Sequence, residues 1–271
     1  MCRTLLCHRW HTTILEVAVK TIYLFDVDGT LTPAKSKIDQ GFAKAFFNWQ
    51  RDREVYIVSG GSFPRIVDQL SRKVVDKTRG VFSCMGNAHY KKIPSTDGYS
   101  SWTLEYENKF TVAKQALFFS ELERYVMNSE YHTKTGRHYE ERVGMVNFSI
   151  VGRNASMSER KEYEEYDKEH REREQIVAKL SKKHKKLDFV IGGAVSIDIF
   201  NKGNDKGQVI NHFRDKLKDH RIVFVGDRIP FPGNDHSLAE EVKRCPHGEA
   251  VEVECWQDTA ALLSTDLFAS G

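Results

Sequence analysis

The 271-residue chain lacks any apolar run approaching the length that crosses a bilayer, which excludes a helical membrane protein. It also lacks a decisive charge. With 41 basic and 38 acidic residues the net charge is +3, which gives little support to nucleic-acid binding. Zinc-ligand spacing is absent too. The five cysteines, Cys2, Cys7, Cys84, Cys245 and Cys255, are odd in number and read as reduced thiols of a cytoplasmic protein. Residues 1–18, MCRTLLCHRWHTTILEVA, have neither the apolar core nor the cleavage site of a signal peptide. They are expected to be a disordered extension or the result of an upstream start, because a chain beginning near Val19 or Lys20 would enter the first strand at once. Internal repeats and low-complexity linkers are missing. What remains is ordinary: 40% hydrophobic and 29% charged residues, in a length that suits one large domain or two modest ones.

Against that background the stretch TIYLFDVDGTLTP, residues 21–33, is unusual. A short apolar run reads as a buried strand, and a carboxylate at its end is costly unless a cation or hydrogen bonds compensate. The strand ending at Phe25 therefore delivers Asp26 and Asp28 to a site. Alternation puts both side chains on the same side of the extended chain, with Val27 turned the other way. Two acids aimed at one point can share a divalent cation or divide nucleophile and general-acid work. For a bare D-x-D-G, a strand end with Asp28 capping an Asp-Gly turn competes with that reading.

Strand-like runs recur at TIYLF, VYIV (55–58), VFSC (81–84) and IVFV (222–225), with helix-compatible segments between several of them. This is the rhythm of an α/β protein with a parallel sheet. From about residue 89 to 203 the rhythm breaks into aromatic, charged and extended patches followed by a heavily charged helical stretch. The predicted organisation is a parallel core over 19–88 and 204–271, interrupted by an inserted α+β domain over 89–203. Within the insert, Ser156-Met157-Ser158-Glu159 matches a capping box and predicts a helix start, with Arg160 in the first turn. Most of the charges that follow read as a solvated face.

Three more signals follow the aspartates. Val58-Ser59-Gly60-Gly61-Ser62 ends a strand where glycines permit a tight turn, and hydroxyls with backbone N–H groups can hold phosphate oxygens. Gly203-Asn204-Asp205-Lys206-Gly207 sets a lysine before a predicted helix, where an ammonium would neutralise phosphoryl charge. IVFVGDR ends a strand with Asp227, which could complete a Mg²⁺ site, and PGNDH follows at 232–236.

Taken together, these motifs resemble the eukaryotic-type phosphomannomutase family of the haloacid-dehalogenase (HAD) superfamily over about residues 20–256. FDVDGTLTPA (25–34) is similar to its opening motif, GMVNFSIVGR (144–153) to its cap strand, and SER (158–160) to the helix start that follows. GGAVSIDIF (192–200), Asp205-Lys206 and the final GD with PGNDH recur in the same order. The resemblance implies a HAD-like Rossmannoid core with an α+β cap, working through a phosphoaspartate with Mg²⁺ and a hexose 1,6-bisphosphate activator. It implies Asp26 as nucleophile, Asp28 as general acid and base, Lys206 as phosphoryl partner, and Asp26, Asp227 and the Asp28 carbonyl as metal ligands. Lys35, Ser59, Ser62, Arg142, Asn147, Arg153, Arg160, Ser196 and Asp198 are the implied substrate contacts, the cap arginines gripping the second phosphate. A cytoplasmic homodimer paired through the cap, with a sugar phosphate as substrate and neither nucleic acid nor membrane as partner, completes the expectation. The chain departs from the family pattern at Lys35, Ala194, Asn204 and Met85-Gly86-Asn87. The competing expectations are a Mg²⁺-dependent sugar-phosphate phosphatase built from the same parts and a catalytically silent sugar-phosphate-binding module.

Overall fold

The computed structural model describes residues 20–93, 101–110, 115–265 and Phe268; the expectation for residues 1–18, with Cys2 and Cys7, lies outside them. Two sheets organise these residues. The larger has seven strands: β1 (Lys20–Phe25), β2 (Glu54–Val58), β3 (Gly80–Ser83), β4 (Ala88–Ile93), β5 (Ser101–Glu107), β10 (His220–Gly226) and β11 (Gly248–Glu252). The smaller has four: β6 (Tyr139–Arg142), β7 (Met145–Phe148), β8 (Leu187–Gly192) and β9 (Ser196–Asn201).

In the large sheet the order is β11-β10-β1-β2-β3-β4-β5, and the first five of these run parallel. Ile22, Tyr23, Leu24 and Phe25 are all buried, as a central parallel strand covered on both faces requires. Tyr23 and Phe25 pack into one apolar layer with Phe42, Phe46 and Val75, while Ile22 and Leu24 face another with Phe82, Phe213 and Leu238. Successive strands step outward from β1 on one side to β2 and β3, and on the other to β10 and β11. The strand order thus reverses beside β1, and ligands of open α/β sheets bind at the carboxyl ends of strands at such a switch point. Asp26 and Asp227 follow the ends of the two strands that meet there.

The change of sheet comes later than the expected residue 89. Strands β4 and β5 pair antiparallel with β3 and with each other, extending the large sheet to Glu107. Their mixed composition suggested the insert because β5 is an edge strand, SWTLEYE, with most side chains exposed. Charged side chains on an edge also discourage pairing with another chain.

The small sheet is antiparallel in the order β6-β7-β9-β8 and is covered by helices Gln115–Asn128, Met157–His170 and Glu172–Lys183. The predicted capping box is present: Ser156 Oγ accepts from Glu159 N, and the Glu159 carboxylate accepts from Ser156 N at 2.6 Å. The charged stretch after it is two helices rather than one, because Arg171 adopts a left-handed conformation at φ 52°. Cys84, Cys245 and Cys255 are free thiols. Among the described residues no helix is long and apolar enough to cross a membrane.

Candidate active site

β1 ends as the D-x-D pattern predicts. Val27 is fully buried in the core, while Asp26 and Asp28 both line one cavity between the sheets. The turn that follows depends on Gly29. Its φ is +89°, and a Cβ there would lie 2.3 Å from Asp227 Oδ2, so any side chain would displace that carboxylate.

Asp26 is buried, and so are its principal partners. Lys206 Nζ donates at 2.5 Å to Asp26 Oδ1 and at 2.5 Å to Asp235 Oδ1, with no solvent exposure at Lys206 or Asp235. Asp235 is further held by Arg228 N–H on its second oxygen at 3.1 Å. Ligand oxygens of Asp26, Asp227 and Asp235 all lie within 4.8 Å of one another. Burial pushes the Asp26 carboxyl well above its ordinary range; Lys206 opposes this, and Asp235 and Asp227 reinforce it. Asp227 rises to about 6 through burial and the charge of Asp235. Burial disfavours the Lys206 ammonium, yet Asp235 and Asp26 outweigh that and raise its pKa. Three crowded carboxylates facing one ammonium leave an excess of negative charge. Hard oxygen donors with uncompensated charge fit a divalent cation of the Mg²⁺ type.

Asp28 stands apart from that cluster. Its Oδ1 accepts from Lys35 N–H at 2.5 Å and from Gln69 Nε2 at 2.9 Å, while Oδ2 faces Arg65 at 3.9 Å. Lys35 has a positive φ of 58°. Its ammonium falls to about 7 through desolvation and the charges of Arg160, Arg153 and Arg65. Ser59 lines the cavity, with its Oγ accepting from Gly61 N–H at 3.0 Å; Ser62 sits at the start of helix Phe63–Leu70, outside the lining.

The small sheet supplies the opposite wall. Asn147 on β7 is paired with Asp198 on β9, and its Nδ2 donates to Asp198 Oδ1 at 2.6 Å. Burial raises the Asp198 carboxyl, with Arg142 and Asn147 opposing. Arg153 donates to Asn147 Oδ1 at 2.5 Å and to Glu140, and Arg142 donates to the same Glu140 oxygen at 2.8 Å. Burial pushes Glu140 up, but the bond from Arg142 and the two arginine charges leave it below the usual range. Arg142 Nη1 also reaches across to the Gly60 carbonyl at 2.8 Å, a direct tie between the two sheets. Ser196 lines the cavity and donates to the Gly192 carbonyl at 2.8 Å. Arg160 lies outside the lining. Its guanidinium is anchored on the carbonyls of Ala155 and Arg153 at 2.9 and 3.0 Å, and its Nη1 has no hydrogen-bond partner among the described residues.

The cavity itself measures about 70 Å³. Small-molecule sites commonly occupy about 300–1,000 Å³, so the space between these walls is far smaller than a typical ligand site. The chain crosses between sheets beside Asn87, which donates to the Asn204 carbonyl at 3.0 Å and accepts from Asn108 Nδ2 at 3.1 Å. Asn87 and Asn204, two of the positions that depart from the expected pattern, therefore meet at the crossing.

The sequence model of the eukaryotic phosphomannomutase family matches residues 42–269. The chain belongs to that family. It is 34% identical over 265 residues to the phosphomannomutase of Saccharomyces cerevisiae, covering 94% of this chain and 99% of the relative. It is 31% identical over 230 residues to phosphomannomutase 1 of Dictyostelium discoideum, covering 84% of this chain and 90% of the relative. In fold it is similar to a HAD-superfamily phosphatase of Bacteroides thetaiotaomicron, with a TM-score of 0.57 and 14% identity over 95% of this chain and 98% of that one.

Several residues of this family member's site were missed by sequence reasoning. PGNDH was recognised as a motif, but nothing in the string singled out Asp235, which the following turn folds back onto Lys206. Arg65 and Gln69 lie on helix Phe63–Leu70, one helical turn apart and therefore on one face. That spacing, after a glycine turn that ends a strand, was the available signal. Glu140 precedes a predicted arginine by two residues in a strand, which puts both on one side.

Proposed function

We propose that the chain interconverts mannose 6-phosphate and mannose 1-phosphate through a phosphoaspartate on Asp26, primed by a hexose 1,6-bisphosphate. The observation that carries this reading is the pairing of unlike walls on one cavity: Asp26, held from behind by buried Lys206, with Asp28 on the core side, Arg142, Arg153, Asn147 and Asp198 on the other. A phosphatase needs only the first wall. A mutase must also hold the far end of a sugar phosphate in either of two orientations, and guanidiniums suit that task.

Asp26 attacks phosphorus, and the bond to the departing sugar oxygen breaks as Asp28 gives that oxygen a proton. Because Asp28 Oδ1 already accepts two N–H donors, the transferable proton belongs on Oδ2, the oxygen facing Arg65. Asp28 then takes the proton of a monophosphate hydroxyl as that oxygen attacks the phosphoaspartate, which frees Asp26 and leaves a bisphosphate; the bisphosphate turns over, and Asp26 takes its other phosphoryl group. Lys206 holds Asp26 in place throughout and offsets charge as phosphate arrives. Asp26, Asp227, Asp235 and the Asp28 carbonyl are the proposed holders of Mg²⁺, which when bound supplies charge neutralisation at the phosphoryl oxygens. The large sheet acts as core and the small sheet with its helices as cap, their separation admitting substrate. The assignment extends to a cytoplasmic homodimer paired through the cap, in the mannose metabolism that feeds GDP-mannose synthesis.

Phosphorus NMR with mannose 1-phosphate, Mg²⁺ and a trace of hexose 1,6-bisphosphate tests the proposal. Accumulation of mannose 6-phosphate is the expected result. Free phosphate as main product would make the chain a phosphatase, and an unchanged spectrum would leave it a binding module.

A further inference from the structure

We propose that His89, Glu105 and His212 form a second divalent-metal site, of the borderline-soft class that Zn²⁺ represents. The three come from β4, β5 and the 3₁₀ helix Lys206–Phe213, and their ligand atoms all lie within 4.8 Å of one another. Two imidazoles and one carboxylate form a set that Zn²⁺ accepts while keeping a fourth position for water. That chemistry differs from the all-carboxylate cluster around Asp26, where Mg²⁺ belongs.

The backbone is shaped to build this set. His89 pairs with Tyr106, but Tyr90 pairs with Leu104, so Glu105 is an extra residue in β5. In an unbroken ladder Glu105 would point to the face opposite that of Tyr106 and His89. The bulge re-aims it, bringing its Oε2 within 2.6 Å of His89 Nδ1. The His89 ring is fixed independently: Phe82 stacks on it at 4.1 Å, and a Cβ on Gly80 would lie 2.6 Å from its Nε2. Nε2 is thereby turned into the sheet, without a hydrogen-bond partner among the described residues, and Nδ1 outward to Glu105. Burial, then the neighbouring His212, lowers the His89 pKa to about 4, so a neutral ring offers its lone pair at neutral pH. The His212 ring lies 4.5 Å from that of His89 and, like Glu105, is exposed, giving an ion a way in from solvent. Lys91 Nζ stands 3.7 Å from the other Glu105 oxygen, an exposed pairing that holds the carboxylate only weakly.

A bound ion ties the β4–β5 edge to the helix that begins with Lys206. It is exchangeable, because one coordination position is open and nothing among the described residues accepts from His89 Nε2 to fix the tautomer. Untagged full-length chain, stripped with a chelator and dialysed against Zn²⁺ in millimolar Mg²⁺ to fill the oxygen site, is the material for the test. Metal analysis should find one Zn²⁺ per chain, with a raised melting temperature. His212→Ala and Glu105→Gln, both at exposed positions, should each weaken Zn²⁺ binding by at least about tenfold. Failure to take up Zn²⁺, uptake unchanged in both variants, or uptake abolished instead by Asp227→Asn would overturn the assignment.

Discussion

Asp26→Asn is expected to lower sugar-phosphate isomerisation by at least about 10⁴-fold and to leave the fold intact. The loss is large because an amide cannot form the phosphoenzyme, and two of the neighbouring carboxylates are already engaged. Asp28 is held by Lys35 N–H and Gln69, and Asp235 is enclosed by Lys206 and Arg228 N–H. Stability should survive for an electrostatic reason. Burial and the neighbouring Asp235 and Asp227 disfavour the Asp26 charge more than Lys206 favours it, so replacing a carboxylate by an amide of the same shape relieves repulsion. Lys206 keeps its bond to Asp235. Thermal melting in metal-free buffer should therefore be unchanged or higher. Near-normal turnover by Asp26→Asn would remove the assigned nucleophile.

Lys206→Met should cost both activity and stability. The ammonium is the shared partner of two buried carboxylates at 2.5 Å each, and its stem lies wholly inside the core. Methionine refills much of that volume but supplies no charge. Breaking a buried ion pair from one side leaves an uncompensated charge and typically costs about 3–5 kcal/mol. At roughly 2–4 °C per kcal/mol for a chain of this size, the melting temperature should fall by around 10 °C in metal-free buffer. Adding Asp235→Asn to the variant removes one stranded carboxylate and should recover part of the loss, the coupling expected of groups in contact. A melting temperature within about 1 °C of wild type for the single variant would show that the triad contributes nothing to the fold.

The parts of the site that were legible in sequence are those where local pattern and placement coincide. A five-residue apolar run with two acids after it has one reading as a buried strand, and β1 delivers Asp26 and Asp28 to one cavity while Val27 enters the core. Ser156 and Glu159 are a local cap, visible from spacing alone. By contrast, β4 and β5 join the large sheet through antiparallel pairing, and an exposed edge strand carries little of the apolar alternation that marks a buried one. The roles of Asp235 and Glu140 depend on groups far along the chain or across a sheet: Asp235 on Lys206, Glu140 on Arg153. Charged residues near such motifs are commonplace, and only the fold selects the one that is buried beside an opposite charge. Ser62 and Arg160 show the converse. Both lie in matched motifs, yet neither lines the cavity between the sheets, and Arg160 is anchored on two backbone carbonyls beside it.

The central claim is that phosphate passes through Asp26, and the most direct measurement looks for it there. The chain is mixed with hexose 1,6-bisphosphate and Mg²⁺, quenched in acid, digested and examined by mass spectrometry. A phosphoryl group is expected on the peptide containing Asp26, absent from Asp26→Asn and discharged when mannose 1-phosphate is added before the quench. An active wild-type chain whose Asp26 peptide never carries phosphate, or whose phosphate resides on another residue, would contradict it.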